Sequence, residues 1–224
     1  MKLKWFYILV FASTFATAQV YEAGVFVGGA NGISDVGSTR YVNPNAMAYG
    51  LLFKWNKSLR YAWRVSVTQS ELVFDDRRSN IAARTQRGYY VQTQVNEFMA
   101  GLEVNFKSFE LHRFNSSWTP YIATGASYYT YTITKNNFSR LEDNSKFALP
   151  LLMGMKIKAL SNFILGIESG IRYSFNDNLD GSYPPATGLE PNFFGKTSSK
   201  DWYVFSGITL TYSFGKKPCT QCYN

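Results

Sequence analysis

The chain has 224 residues, of which 46% are hydrophobic, 17% aromatic and 17% charged. After residue 18 no apolar run approaches the ~20 residues a spanning helix needs, which excludes a helical membrane protein. The formal charge of +8, or +6 once a leader carrying Lys2 and Lys4 is removed, is a moderate surplus. In an exported chain it points to anionic lipid headgroups, lipopolysaccharide or an acidic protein as partners, and away from nucleic acid.

Lys2 and Lys4 precede the apolar run 5–15, and Ala16-Thr17-Ala18 supplies an A-x-A cleavage site before Gln19. Residues 1–18 therefore read as a secretory signal peptide, too short for a membrane anchor. The remainder divides into a predicted barrel, 19–215, and a basic, cysteine-containing tail, 216–224.

Strand one, 21–30, alternates Tyr21, Ala23, Val25 and Val27 against Glu22, Gly24, Phe26 and Gly28. A Gly-, Asn- and Pro-rich loop leads to strand two, 46–55, with Met47, Tyr49, Leu51, Phe53 and Trp55 on one face. After the turn at 56–58, strand three sets Tyr61, Trp63, Val65 and Val67 against Ala62, Arg64, Ser66 and Thr68. A long charged loop, 75–88, precedes strand four, 91–106. There Phe98, Ala100, Leu102, Val104 and Phe106 oppose Glu97, Met99, Gly101, Glu103 and Asn105. Strand five, 119–134, mixes tyrosines and small residues on both faces, so its parity stays open. Strand six places Phe147, Leu149, Leu151, Met153, Met155 and Ile157 opposite Gly154, Lys156 and Lys158.

Strand seven, 162–175, carries the clearest pattern. Phe163, Leu165, Ile167, Ile171, Tyr173 and Phe175 share one face, interrupted only by Ser169, and Gly166, Glu168, Gly170, Arg172 and Ser174 the other, together with Ile164. After the longest loop, 176–201, strand eight alternates again from Trp202 to Phe214. Large apolar stripes facing small and charged ones suggest lipid outside and a polar lumen inside. Eight strands is an even number, and comparatively short connections near 57, 112 and 160 alternate with longer ones near 38, 82, 140 and 188. The expected fold is an all-β, eight-stranded antiparallel transmembrane barrel of outer-membrane type, with both termini in the periplasm.

The inward set holds Glu22, Arg64, Glu97, Glu103, Lys156, Glu168 and Arg172, so both signs occur. An eight-stranded interior is just wide enough to be filled by side chains, and unpaired ions there are costly. A closed, salt-bridged lumen is expected in place of a pore.

No catalytic or metal constellation stands out, and no cofactor is expected. The single histidine, His112, sits in a predicted periplasmic connection without a serine partner and reads as a solvated turn residue. Gly195-Lys196-Thr197 resembles the end of a phosphate loop, but Glu190 stands where its first glycine belongs and no strand-loop-helix setting surrounds it. Cys219 and Cys222 lie in the tail behind Lys216, Lys217 and Pro218, with no βαβ unit around them and too few ligands for zinc. In an oxidising periplasm they would bond to each other or to another protein. The tail, with Lys216, Lys217, Cys219, Cys222 and Tyr223, suggests docking to a periplasmic partner.

Several stretches resemble the PorG-type barrels of Bacteroidetes. They are 43–44 through 49–56 with Arg60-Tyr61-Ala62-Trp63-Arg64, then Gly101-Leu102-Glu103-Val104-Asn105-Phe106, Thr119-Pro120-Tyr121 and Asn178-Leu179-Asp180. Most specific is the closing Asp201-Trp202-Tyr203 through Thr209-Leu210-Thr211-Tyr212-Ser213-Phe214-Gly215, followed by Lys217-Pro218-Cys219 and Cys222-Tyr223. The resemblance covers nearly the whole chain after residue 18. It implies a non-enzymatic, structural outer-membrane component of the type IX secretion system, associated with the periplasmic ring of the PorK lipoprotein and PorN. That machine exports proteins and supports adhesin secretion in gliding bacteria. The two-residue spacer between Cys219 and Cys222 departs from the tighter pair expected of the family. The alternative is a surface barrel of the OmpA/OmpX kind, whose outer loops bind a ligand or host surface. A lipid enzyme would need a serine or histidine near the outer leaflet, on the opposite side from His112.

Overall fold

The computed structural model describes residues 20–111, 117–136, 143–175, 179–182 and 200–215. The expectations for the leader 1–18, His112, Gly195-Lys196-Thr197 and the tail residues Lys216, Lys217, Cys219, Cys222 and Tyr223 fall outside these residues.

The strands are β1 (Val20–Ile33), β2 (Ala46–Asn56), β3 (Tyr61–Asp75), β4 (Tyr90–Asn105), β5 (Trp118–Asn136), β6 (Asp143–Lys158), β7 (Phe163–Ser174) and β8 (Trp202–Gly215). Each pairs antiparallel with its neighbours in sequence, and β8 returns to β1 to close the barrel. The register fixes the geometry. Stepping across paired residues from Tyr21 through Trp55, Trp63, Leu102, Thr124, Leu151, Ile171 and Val204 arrives at Asn31, ten positions further along β1. For eight strands spaced ~4.8 Å apart with a rise of ~3.3 Å per residue, that stagger tilts the strands by roughly 40°.

Alternation along each strand becomes inside and outside. On β7, Ile164, Gly166, Glu168, Gly170, Arg172 and Ser174 are buried, whereas Phe163, Leu165 and Ile167 are exposed. Leu51 is 66% exposed, Met153 60% and Ile167 54%. A continuous surface of this kind suits hydrocarbon and not water. Ten residue steps from Phe163 to Tyr173 at this tilt rise roughly 25 Å, the height of an outer-membrane apolar band. Aromatic rings edge it on both sides, Trp55, Trp63, Phe106, Trp118, Phe163 and Phe214 near one rim and Tyr49, Tyr128, Phe147, Tyr173 and Trp202 near the other.

The fifth strand acquires its parity. Tyr121, Ala123, Ser127, Tyr129, Tyr131 and Ile133 are buried, and Tyr128 faces out against Phe147, ring centroids 5.3 Å apart. Two expectations about connections change. The loop predicted over 75–88 contains a 3₁₀ turn, Asp76–Arg78, and a short helix, α1 (Ala82–Arg87). The connection 106–117 is longer than 137–142, so short and long do not alternate strictly. The extra length is used at the barrel mouth, where Phe109 and Leu111 fold in and bury against Val20 and Ile164. We call this the terminal end, because Val20 and Gly215 lie here with the turns 57–60 and 159–162. The opposite crown end carries 34–45, 76–89 and 179–182, with the strand ends Asn136, Asp143, Ser174 and Trp202.

Candidate functional site

Inward parity delivers buried charged side chains from six strands, β1, β2, β3, β4, β6 and β7, into the lumen, and there each finds partners. Glu103 on β4 is the hub. Lys156 Nζ donates to its Oε1 at 2.6 Å, Lys54 Nζ lies 2.8 Å from Oε2, and Arg64 Nη1 lies 3.5 Å from Oε2. Arg64 also reaches across the barrel from β3 to β7 and grips Glu168 with both terminal nitrogens, at 2.7 and 2.6 Å. Such a two-point guanidinium–carboxylate fork is the strongest geometry available to an ion pair. Tyr121 donates its hydroxyl to Glu168 Oε2 at 2.5 Å.

Nearer the crown, Arg172 Nε sits 3.2 Å from Glu97 Oε2, and the Tyr203 hydroxyl donates to the same oxygen at 2.6 Å. The Arg172 guanidinium also lies 4.4 Å over the Phe205 ring. Glu22 is held differently. It is buried, and it accepts from the neutral groups Asn56 Nδ2 and Thr211 Oγ1, each at 2.9 Å.

Both mouths are stoppered. At the terminal end Lys158 Nζ donates to the Leu111 carbonyl at 2.6 Å, anchoring the inserted segment, and Lys156 Nζ stands 4.9 Å over the Phe109 ring. Above the charged layer an apolar layer of Phe26, Leu72, Phe74, Tyr129, Phe205 and Leu179 fills the lumen. Residues 179–182 lie over it. The Leu179 carbonyl accepts from Thr93 Oγ1 at 2.9 Å, and its N–H donates to Asp201 Oδ2 at 2.8 Å.

The crown is braced by Asp76, which is fully buried. It accepts from Arg87 Nε at 2.6 Å, Arg87 Nη2 at 2.9 Å, the Gly37 N–H at 2.9 Å and the Tyr89 N–H at 3.1 Å. Arg84 donates to the carbonyls of Ser34 and Gly37, both at 3.0 Å, so two crown loops are tied together. Burial, with the Asp180 carboxylate nearby, pushes the Tyr89 phenol up to about 12. Its hydroxyl donates to the Gly181 carbonyl at 3.2 Å.

Asp180 is itself fully buried. Burial raises its pKa, opposed by hydrogen bonds from Ser182 and Ser34 and reinforced by the Asp35 carboxylate. A carboxyl whose folded pKa is raised binds its proton more tightly when folded. Its contribution is present below the ordinary carboxylate range and is lost as pH rises through the folded value. Limited proteolysis within 34–45 and 76–89 should therefore accelerate as pH rises above the ordinary carboxylate range, and Asp180→Asn should flatten that dependence.

The residues expected in the lumen are thus all buried, and six of the seven meet in ion pairs: Arg64, Lys156 and Glu103 around one centre, Arg64 with Glu168, and Arg172 with Glu97. Sequence reasoning left out Lys54, Tyr121 and Tyr203, and it placed Lys158 on the face of Lys156 without counting it among the paired lumen charges. Lys54 was within reach, because it shares parity with Ala48 and Leu52, which are buried. Among the described residues no group of three or more His, Cys, Asp or Glu side chains converges as a metal site.

The fold has known counterparts. Neisserial surface protein A (NspA) is 9% identical with a TM-score of 0.51, over 88% of this chain and 96% of that one. Ail, the attachment invasion locus protein of Yersinia pestis, is 12% identical with a TM-score of 0.49, over 88% and 99%. The outer membrane protein OprG from Pseudomonas aeruginosa is 10% identical with a TM-score of 0.46, over 88% and 96%. At such identities the likeness establishes the fold alone, and the NspA match carries it. No curated protein matches this sequence. The model of a family described as a domain of unknown function, DUF6089, matches residues 2–224, and the chain belongs to that family.

Proposed function

We propose that this protein is an integral outer-membrane barrel that works as a structural anchor, its terminal end and tail facing the periplasm. One observation carries the reading: the lumen is filled by paired charges and stoppered at both mouths, so the barrel offers surfaces and not a passage. The sequence resemblance to PorG-type barrels gives those surfaces a job. The turns 57–60 and 159–162, the connection 106–117 and the tail residues Lys216, Lys217, Cys219, Cys222 and Tyr223 would hold a periplasmic ring of the PorK/PorN type within the type IX secretion system. Lipopolysaccharide and other outer-membrane lipid would surround the belt.

A second reading, a surface-binding barrel, is favoured by the braced crown, which presents Arg77 and Arg78 with side chains 67% and 64% exposed. A mild-detergent pull-down from native membranes separates the two. Truncation after Gly215 is expected to cut recovery of the ring lipoprotein at least ~10-fold, which corresponds to about 1.4 kcal/mol of lost affinity, while the barrel still migrates as a heat-modifiable band. Excision of 183–199 should leave recovery unchanged. Gels run with and without reductant on Cys219→Ser/Cys222→Ser would distinguish a bond to the partner from a local disulfide. Unchanged recovery after tail removal, with binding lost on loop excision, would favour the crown.

A further inference from the structure

The outward face of the barrel changes character abruptly along one ladder. Leu51, Val67, Phe98, Tyr128 and Phe147 are successive cross-strand partners on β2 to β6, and all are exposed and apolar. Two residues toward the crown, the next outward row reads Tyr49, Gln69, Asn96, Thr130 and Ser145, and the row beyond it aligns Glu71, Gln94 and Thr132. The outward face of β3 to β5 thus continues past the apolar belt as a sheet of amides and hydroxyls.

A step in the wall makes this face a groove. β2 stops at Ala46, whereas β3 and β4 run on to Asp75 and Tyr90. The resulting space, about 490 Å³, is bounded by Met47 and Tyr49 on one side and by Gln69, Glu71, Gln92 and Gln94 on the other. Among the described residues the side-chain amides of Gln69 and Gln94, which line this space, and of Asn96, the cross-strand partner of Gln69, make no hydrogen bond within the protein, although each offers two donors and an acceptor. Tyr49 is 54% exposed and turns a ring toward the same space. Among the described residues Glu71 is the single charged side chain lining the groove, and its carboxylate disfavours a phosphate there. The basic groups Arg77 and Arg78 lie beyond the end of β3.

We propose that this groove receives the uncharged core sugars of a glycolipid whose acyl chains lie on Leu51, Val67 and Phe98. Unpartnered amides and the neighbouring outward hydroxyls of Thr130 and Thr132 match the mixed donors and acceptors of a sugar, and an exposed tyrosine face suits its C–H edge. Continuity with the belt selects a membrane-anchored ligand: a sugar held there is attached to chains already in contact with the wall. The inference rests on the proposed orientation, which places the crown outside.

The test uses the full mature chain in zwitterionic detergent, and reads the midpoint of its heat-modifiable gel shift. Saturating lipopolysaccharide that bears core sugars is expected to raise the midpoint by several degrees above the value in lipid A that lacks them. Phosphatidylglycerol should have no such increment. The triple variant Gln69→Ala/Gln94→Ala/Asn96→Ala, all at exposed or half-exposed positions, should lose the sugar-dependent part and keep the lipid A response. Equal midpoints with and without core sugars, or an unaltered response in the triple variant, would overturn the site. Orientation is read separately, with Thr132→Cys in a Cys219→Ser/Cys222→Ser background and a membrane-impermeant maleimide on intact cells. Absence of labelling sinks the orientation and the site with it. Labelling without a sugar response removes the site alone.

Discussion

Glu103→Ala should largely prevent the barrel from reaching its compact, heat-modifiable form. Three cations converge on that carboxylate, Lys156 at 2.6 Å, Lys54 at 2.8 Å and Arg64 at 3.5 Å. Their side chains are no more than 2% exposed, so water cannot take the place of the lost anion. Removing one partner of a buried pair typically costs about 3–5 kcal/mol, and here one deletion strands several like charges together. That is comparable with the entire stability of many domains. Glu103→Gln should fail nearly as badly, because it keeps the shape and loses the charge. Adding Lys156→Met to Glu103→Ala should recover part of the loss by removing one uncompensated cation. The measurement is the fraction refolding on a gel and the midpoint in urea. If Glu103→Ala refolds like the parent, the charged lumen is not what holds the walls together.

Gly125→Val should be comparably severe for a different reason. Gly101 on β4 and Gly125 on β5 are direct cross-strand partners, and both face the lumen. A Cβ on Gly125 would come within 2.1 Å of the Ala100 carbonyl oxygen and 2.4 Å of the Gly101 Cα, and one on Gly101 within 2.2 Å of the Thr124 oxygen. Backbone atoms cannot step aside as a side chain could, so the two strands must part. The cost is expected at about 3 kcal/mol or more. Gly88→Ala is the control. Its φ of +66° makes alanine mildly strained, but nothing lies within 4 Å, so a loss of only about 1–2 kcal/mol is expected.

The same arrangement recurs between Gly28 and Gly207 on β1 and β8, the seam opposite in the ring of eight. Glycines without side chains let the sheet bend sharply at both seams. The two four-stranded halves then face each other closely enough for Arg64 on β3 to reach Glu168 on β7 directly.

What was legible in the sequence followed from period two. Where one face was aliphatic and the other small or charged, as on β7, side chain by side chain the parity reads straight off. β5 resisted because tyrosine suits either environment. Tyr129 turns inward to meet Ser174 Oγ, whereas Tyr128, one residue earlier, faces the exterior and packs edge-on with Phe147. Which carboxylate meets which cation could not be read either, since Arg64 and Glu168 are 104 residues apart and their meeting depends on the shear of the closed sheet. The stoppers escaped notice for another reason. Phe109, Leu111 and Leu179 sit in connections, where periodicity carries no signal and only the finished mouth reveals what must fill it.

The paired charges and the two stoppers have a consequence for the cell envelope. An open barrel would leak in proportion to its copy number and erode the permeability barrier it sits in. A lumen filled by Glu103, Arg64, Glu168 and Arg172, with Phe109 at one mouth and Leu179 at the other, leaves no open passage among the described residues. Many such barrels can stand side by side in one membrane at no cost in leakage.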